Sequence, residues 1–299
     1  MKVFITGVTG YIGFQVALAM RRAGHEVWGL VRNSAKATRI ARHEIHPVTG
    51  TLQQPEGYRA IMESCSVLIH AAVDYQANTF DLDRQAVEAM LATATSGAQP
   101  KTLIYTSGVW VFGDTGGQQV DETTPLNPPN LVTARPATEQ RVLQAKNVRG
   151  LVVRPGCVYG RRGGLTGMWF GGAQNNALQI IGTGEQRWAM VHIDDLAAGY
   201  VSVAESGLAG EAFNFTDHSR HSVGEMVQAI AKVAGCSSPA QCVPVAEAAQ
   251  TLGDFAECLT LDQHVDARKA ARLLGWQPKH GGLVDEVATY YETWRAYQD

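Results

Sequence analysis

Apolar runs and helical periodicities alternate along the first 110 residues of the chain. Short apolar runs at residues 2–6 and 26–31 predict strands, and residues 12–23 between them repeat apolar positions at helical spacing up to Gly24. This order predicts a βαβ unit. Further strands are predicted at residues 45–48, 66–70 and 101–106, with helices at residues 55–62 and in the long stretch before residue 101.

The predicted strands are apolar at consecutive positions, as in Val67-Leu68-Ile69-His70. Strands of this composition are usually buried on both faces, so the sheet should be parallel and covered by helices on both sides. We therefore predict an α/β fold of the Rossmann type, with a doubly wound parallel sheet.

The pattern becomes less regular beyond residue 110. A loop rich in Gly, Asn and Pro is predicted at residues 113–130, a helix at 137–146 and a strand at 150–154. The glycine-punctuated residues 160–172 predict a loop that covers a cleft. Strand and helix patterns return at residues 188–205, and roughly the last 80 residues are mostly helical in pattern. We predict a first domain of residues 1–155 and a smaller, mostly helical lobe of residues 156–299, with part of residues 188–220 returning to the first domain.

Composition narrows the class of protein. The 299 residues include 25 Lys and Arg against 28 Asp and Glu, a net charge of −3, so we expect no nucleic-acid partner and no anionic membrane surface. No apolar run reaches the roughly 18 residues that a membrane span needs, and the first residues lack the arrangement of a signal peptide. We expect a cytoplasmic protein.

The five cysteines are Cys65, Cys157, Cys236, Cys242 and Cys258. Their wide spacing matches neither a disulfide framework nor a zinc site. The sequence predicts free thiols and no metal.

Gly7, Gly10 and Gly13 follow the first predicted strand and open the first predicted helix. In a dinucleotide-binding unit the first glycine permits a tight turn, the second lets backbone N–H groups approach a pyrophosphate, and the third lets helix and strand pack closely. The helix N-terminus then faces the phosphates. We predict a bound dinucleotide, the alternative being an unoccupied turn. Further cofactor contacts are predicted from Thr9, Tyr11, Ile12, Thr51 and Leu52.

The end of the second predicted strand bears on the choice of cofactor. An acidic residue there binds the ribose 2′-OH of NAD, whereas a cation accommodates the 2′-phosphate of NADP. The strand ends at Arg32 and Asn33, with Lys36 close behind and no acidic residue. NADP is therefore favoured. NAD stays possible, the alternative being that Arg32 is a solvated loop charge.

Six ordered motifs, counting the glycine motif, resemble the extended short-chain dehydrogenase/reductase family, which includes nucleotide-sugar epimerases and dehydratases and the dihydroflavonol reductases. The other five are Val67-Leu68-Ile69-His70-Ala71-Ala72, Tyr105-Thr106-Ser107-Gly108-Val109-Trp110-Val111-Phe112-Gly113, Val153-Arg154-Pro155-Gly156-Cys157-Val158-Tyr159-Gly160, Met190-Val191-His192-Ile193-Asp194-Asp195-Leu196-Ala197 and Leu273-Leu274-Gly275-Trp276-Gln277-Pro278. The resemblance covers nearly the whole chain. It implies a cofactor site lined by Ala71, Ala72, Val73 and Thr106, with Pro155, Gly156 and Val158 beside the nicotinamide.

The resemblance also implies a Tyr-x-x-x-Lys pair and a Ser or Thr hydroxyl, which together exchange a proton with the substrate oxygen. This chain departs from that pattern. Gly108 stands at the hydroxyl position, Leu131 at the Tyr position and Arg135 at the Lys position. No Tyr lies between Phe112 and Tyr159.

Other groups must then perform the chemistry. Arg135 is predicted to fix the cofactor ribose and polarise a substrate oxygen, but its pKa above about 12 excludes ordinary proton donation. Ser107, Thr133 and Tyr159 are further catalytic candidates. Capping and packing roles are the alternative for each of them.

The family implication for the substrate is also altered. Nucleotide-sugar enzymes hold the diphosphate with an Arg where this chain has Trp188, so an apolar or aromatic, non-nucleotide substrate is favoured. Further apolar side chains of the substrate site are predicted from Val109, Trp110, Trp169 and Phe170. The alternative is that these aromatic residues belong to the core.

Three functions remain open. The first is an NAD(P)-dependent oxidoreductase or epimerase-like enzyme acting on a small alcohol or carbonyl compound. The second is a catalytically inactive NADPH-binding sensor or scaffold, and the third is a non-redox lyase or isomerase with bound cofactor. A homodimer is an expectation from the fold.

Overall fold

A computed structural model describes residues 1–73, 79–96 and 99–298. Its strands are β1 Lys2–Thr6, β2 Glu26–Val31, β3 His46–Thr49, β4 Val67–His70, β5 Thr102–Thr106, β6 Gln119–Val120, β7 Arg149–Pro155, β8 Cys157–Tyr159, β9 Gln179–Ile181, β10 Met190–His192, β11 Glu211–Phe215, β12 Gln241–Val243 and β13 His264–Val265. Its α-helices are α1 Tyr11–Arg22, α2 Ser34–Ala41, α3 Arg59–Ser64, α4 Thr79–Thr95, α5 Arg135–Leu143, α6 Gly167–Gln174, α7 Ile193–Glu205, α8 Val223–Ala234, α9 Val245–Leu252, α10 Phe255–Cys258, α11 Arg268–Leu274 and α12 Val287–Ala296.

Seven parallel strands form the central sheet in the order β11-β7-β5-β4-β1-β2-β3. The order reverses direction between β1 and β4, and in doubly wound sheets ligands bind at such a point, outside the carboxyl ends of the strands. The predicted fold class is confirmed.

Helices cover both faces of the sheet because its strands are apolar on both sides. Residues of α1, α2 and α7 pack on one face, and residues of α3, α4 and α5 pack on the other. All four residues of β4 are buried, as the run of consecutive apolar positions predicts.

A second core lies in the C-terminal lobe. It joins β8 and β10 to the apolar faces of α6, α8, α9 and α12. Strand β11 returns from this part of the chain to the edge of the central sheet, beside β7. The division into domains at residue 155 stays a prediction.

Two element predictions need correction. The loop predicted at residues 160–172 becomes helical from Gly167, because Trp169 and Phe170 are buried in the C-terminal core and this packing outweighs the weak helix propensity of glycine. Helix α5 begins at Arg135, two residues earlier than predicted, since Pro136 fits the first turn of a helix.

No helix in the described ranges is long and apolar enough to cross a membrane.

Candidate active site

A cleft of about 840 Å³ opens at the carboxyl ends of the central strands. One side contains the first residues of α1 and the segments after β4 and β5, and the other contains the segment after β8 and the start of α10. The cleft therefore lies at the point where the strand order reverses, between the central sheet and the C-terminal lobe.

The glycine turn has the shape that a dinucleotide pyrophosphate requires. Gly7 has φ +72°, and a Cβ there would collide with the Ala71 carbonyl group. A Cβ at Gly13 would collide with the backbone of Gly7, so helix and strand approach closely. Gly10 precedes α1, whose first N–H groups have no partner within the helix. This cradle fits the predicted phosphate contacts.

Nine of the eighteen predicted cofactor residues line this cleft. The lining contains Tyr11, Ile12, Leu52, Ala72, Val73, Arg135, Pro155, Gly156 and Val158. Gly156 is closely packed, because a Cβ there would collide with the Ala189 carbonyl group.

The remaining predicted cofactor residues are outside the cleft lining. Arg32 is exposed after β2, and Asn33 caps α2 by accepting a hydrogen bond from the Lys36 N–H at 3.0 Å. Thr9, Thr51 and Ala71 are half-buried. The Thr106 hydroxyl is hydrogen bonded to the Tyr200 hydroxyl at 2.6 Å, which argues against a direct role for Thr106 toward the cofactor.

Ser107 places a buried hydroxyl in the cleft. Its side chain follows β5, its residue is only 4% exposed, and its backbone N–H donates to the Val153 carbonyl at 2.8 Å. Its Oγ has no hydrogen-bond partner in the described part of the chain. Because a buried hydroxyl without a hydrogen-bond partner destabilises the folded protein, Ser107 is suited to a hydrogen bond with a bound molecule.

Gly108, Leu131 and Arg135 come together as the family alignment implies. All three line the cleft, and a Cβ at Gly108 would lie 3.6 Å from Arg135 Nη1. The side chain at the expected Tyr position is thus an aliphatic part of the cleft wall, and a fixed cation stands at the Lys position.

A buried ion pair one turn further along α5 connects this helix to β7. Arg154 on β7 donates to both carboxylate oxygens of Glu139, through Nε at 3.1 Å and Nη2 at 2.5 Å. No ion pair or hydrogen bond to the Arg135 guanidinium is found in residues 1–73, 79–96 and 99–298. The arginine is therefore available to a ligand.

A carboxylate that sequence reasoning missed also lines the cleft. Asp83 on α4 is hydrogen bonded to His70 Nε2 at 3.1 Å and accepts a hydrogen bond from the Tyr105 hydroxyl at 2.8 Å. Burial disfavours the charged carboxylate, but the hydrogen bonds from His70 and Tyr105 and the charge of Arg135 outweigh it and hold the pKa of Asp83 below its ordinary value. The spacing of residues in α4 could have indicated this position. Asp83 precedes the buried Ala86 and Val87 by three and four residues, so its carboxylate lies near the apolar face of the helix.

Three predicted site residues are placed away from the reacting end. Tyr159 is fully buried, and its hydroxyl donates to Asp217 Oδ2 at 2.9 Å. Burial and the charge of Asp217 raise the pKa of this phenol. Both observations argue against Tyr159 as the proton donor. Thr133 is exposed and outside the lining. Trp188 is only 4% exposed and belongs to the C-terminal core, where it stacks on Trp169 with ring centroids 4.7 Å apart.

The substrate end of the cleft is largely apolar. Val109 and Trp110 line it as predicted, and Trp110 meets Phe255 edge to face with ring centroids 5.8 Å apart. Phe255 was missed because it comes from α10, far along the chain. Trp169 and Phe170 are core residues and contribute no wall.

Two adjacent arginines after β8 have different surroundings. Arg161, at φ +51°, makes a two-pronged ion pair with Asp194 at 2.7 and 2.8 Å. Arg162 lines the cleft near Tyr11, whose hydroxyl donates to the Gly160 carbonyl at 2.7 Å. Arg162 is thereby placed on the phosphate side of the cleft.

One cluster has the composition of a metal site. Ligand atoms of His192, Asp194 and His280 lie within 4.8 Å of one another. Asp194 is already paired with Arg161, and burial and the neighbouring His280 lower the pKa of His192 to about 4. The expectation of no metal stays a prediction.

Comparisons with known proteins agree with this architecture. The family model described as the NAD dependent epimerase/dehydratase family matches residues 3–215. An uncharacterized protein of Schizosaccharomyces pombe, C2A9.02, is 28% identical, over 97% of this chain and 99% of its own. A 4-hydroxy-2-methyl-3-oxo-4-farnesyl-3,4-dihydroquinoline-1-oxide ketoreductase of Stigmatella aurantiaca is 28% identical, over 85% of this chain and 80% of its own.

A solved structure shows the same fold. The human epimerase family protein SDR39U1, determined with NADPH, superposes with a TM-score of 0.80 at 22% identity, over 98% of this chain and 99% of that one. The resemblance inferred from the motifs is confirmed: the chain belongs to the NAD-dependent epimerase/dehydratase family of extended short-chain dehydrogenases/reductases, a family of NAD(P)-dependent oxidoreductases and epimerases.

Proposed function

We propose that this protein is an NADP(H)-dependent oxidoreductase that interconverts an alcohol and a carbonyl group on a small apolar or aromatic molecule. The observation that carries the proposal is a single cleft that extends from the start of α1, directly after the glycine turn, to an apolar wall. Its lining contains the Arg135 guanidinium and the Ser107 hydroxyl, which has no hydrogen-bond partner among the described residues. A catalytic cleft of this kind combines a mostly apolar surface with a few converging polar groups.

The preference for NADP rests on the end of β2. Arg32 follows this strand directly and no acidic residue is near it in sequence, so the 2′-phosphate has a cation and the ribose diol of NAD has no carboxylate partner. The structure of the human relative contains NADPH, which supports the same choice.

The substrate class follows from the wall of the cleft. Trp110, Leu131 and Phe255 offer rings and aliphatic carbon rather than hydrogen-bond partners, which suits a planar apolar molecule. The Stigmatella relative is named as a ketoreductase of a farnesylated quinoline compound, and that name supports an aromatic, non-nucleotide substrate.

The residues of this chain have distinct roles in the proposed reaction. Bound NADP(H) supplies or accepts the hydride. The Ser107 hydroxyl holds the substrate oxygen, and the positive charge of Arg135 stabilises negative charge that develops on that oxygen. The apolar wall around Leu131 excludes water and orients the reacting carbon, so positioning contributes much of the rate.

Cofactor choice is tested by fluorescence titration with NADPH and NADH. We expect NADPH to bind more tightly, and Arg32→Asp to reduce the difference, whereas Arg42→Asp at the exposed end of α2 should leave it unchanged. Equal affinities in the unmodified protein would contradict the NADP assignment.

Turnover is tested with a panel of aromatic and aliphatic ketones and alcohols, followed by NADPH absorbance. We expect Ser107→Ala to lower kcat by roughly ten- to a hundredfold with the NADPH Kd unchanged, because it removes one hydrogen bond to a charged oxygen. Tight NADPH binding with no turnover across the panel would favour the sensor, and substrate conversion without net change in NADPH would favour the lyase or isomerase.

A homodimer stays a prediction, which light scattering tests.

A further inference from the structure

We propose that Asp83 is the catalytic base that exchanges the proton of the substrate hydroxyl, in place of the missing tyrosine. This inference rests on the proposed oxidoreductase function. It assigns a catalytic role to a side chain of α4, an element that supplies none of the sequence-predicted site residues.

The Asp83 carboxylate is positioned from two neighbouring strands. His70 at the end of β4 holds Oδ1 at 3.1 Å, and Tyr105 of β5 donates to Oδ2 at 2.8 Å. His70 is fixed in turn, because its Nδ1 is 2.8 Å from the Thr6 hydroxyl of β1. Three adjacent strands of the sheet thus orient one carboxylate by a chain of hydrogen bonds.

Asp83 is also accessible from the cleft. Its side chain is 20% exposed and lines the same cleft as Ser107 and Arg135. Each oxygen of a carboxylate can accept more than one hydrogen bond. The bonds with His70 and Tyr105 therefore leave lone pairs on Asp83 for a substrate hydroxyl. His70 is a positioning residue in this arrangement, since it is 1% exposed and acts through Asp83.

The proposed step balances with NADP⁺ as the oxidant. The substrate hydroxyl proton passes to Asp83, the carbon–hydrogen bond breaks, and its electron pair leaves with the hydrogen as hydride to the nicotinamide. NADP⁺ is reduced to NADPH while the carbon–oxygen double bond forms. In the reverse direction NADPH is oxidised, and protonated Asp83 returns its proton to the oxygen.

The charges around Asp83 determine the pH dependence. His70 faces it from β4, Tyr105 from β5 and Arg135 from α5, while the Glu139–Arg154 pair lies behind Tyr105. Together they favour the ionised carboxylate, so Asp83 is a base throughout the neutral range. Alcohol oxidation, which needs the ionised form, should be independent of pH between about 5 and 9, whereas carbonyl reduction, which needs the protonated form, should fall about tenfold per pH unit.

The test uses the best alcohol and ketone pair from the panel and compares Asp83→Asn with Asp81→Asn, a matched change at an exposed position of the same helix. We expect Asp83→Asn to lower kcat in both directions by roughly a hundred- to ten-thousandfold, with KM and the NADPH Kd within about twofold. Asp81→Asn should behave as the unmodified protein.

A second variant guards against a folding defect in the first. Tyr105→Phe removes one hydrogen bond to the carboxylate, so the pKa of Asp83 should rise and the acid limb of the oxidation profile should move to higher pH. Full activity of Asp83→Asn, or a reduction rate independent of pH, would overturn the assignment of Asp83 alone. Absence of turnover in the unmodified protein would overturn the oxidoreductase function and this inference together.

Discussion

Replacing Glu139 by alanine should destabilise the protein severely. The Glu139 and Arg154 side chains are 1% and 5% exposed and share three hydrogen bonds of 2.5 to 3.1 Å. The Ala variant leaves the Arg154 guanidinium buried without its ion-pair partner; the Phe112 ring, 5.1 Å away, and the charge of Glu122 remain as favourable neighbours. Removing one partner of a buried pair costs about 3–5 kcal/mol, which corresponds to a fall in Tm of roughly 5–8 °C for a chain of this size.

Urea unfolding without cofactor measures this loss of stability. The control is Glu88→Ala, which removes exposed ion pairs to Arg84 and Arg141 and should cost less than about 1 kcal/mol. The double variant Glu139→Leu with Arg154→Met removes both charges and should recover most of the loss. If Glu139→Ala and Glu88→Ala have the same midpoint, the reasoning about buried charge is refuted.

Further predictions concern the cofactor cleft and the core. Arg162→Ala should raise the NADPH Kd by roughly ten- to a hundredfold, because a charge-assisted contact to phosphate is worth about 1.5–3 kcal/mol; fluorescence titration checks this, and an unchanged Kd would remove Arg162 from the phosphate site. Gly13→Ala should abolish NADPH binding in the same assay, since the added Cβ would meet the Gly7 carbonyl, and retained binding would show that the turn can adjust. Trp188→Phe should lower unfolding stability by about 1 kcal/mol through loss of the Nε1–H bond to the Leu259 carbonyl, with kcat unchanged; a large loss of turnover would place Trp188 at the substrate after all.

The sheet and the phosphate turn could be read from local pattern. Strands of consecutive apolar residues such as β4 must be covered on both faces, and a glycine motif between a strand and a helix allows few other conformations. Local pattern did not predict helix α6. Its glycines favour a loop, whereas burial of its aromatic residues, Trp169 among them, favours a helix, and burial prevailed.

The chemistry of the cleft depended on distances in space. The family resemblance aligns Leu131 and Arg135 with the expected Tyr and Lys, so it predicts that the usual proton donor is absent. It did not decide among Ser107, Thr133 and Tyr159 as replacements, because the tertiary structure determines which hydroxyl group faces the cleft. In the tertiary structure the Tyr159 hydroxyl donates to Asp217, and Ser107 Oγ has no hydrogen-bond partner in the ranges that the structure describes.

The sequence by itself determined the fold and predicted the dinucleotide turn and the loss of the Tyr-Lys pair, since each follows from residues close together in the chain. Only the tertiary structure brought Asp83 of α4 between His70 and Tyr105 and beside Arg135. These residues come from separate elements, and the packing of the helices on the sheet decides which of their side chains meet.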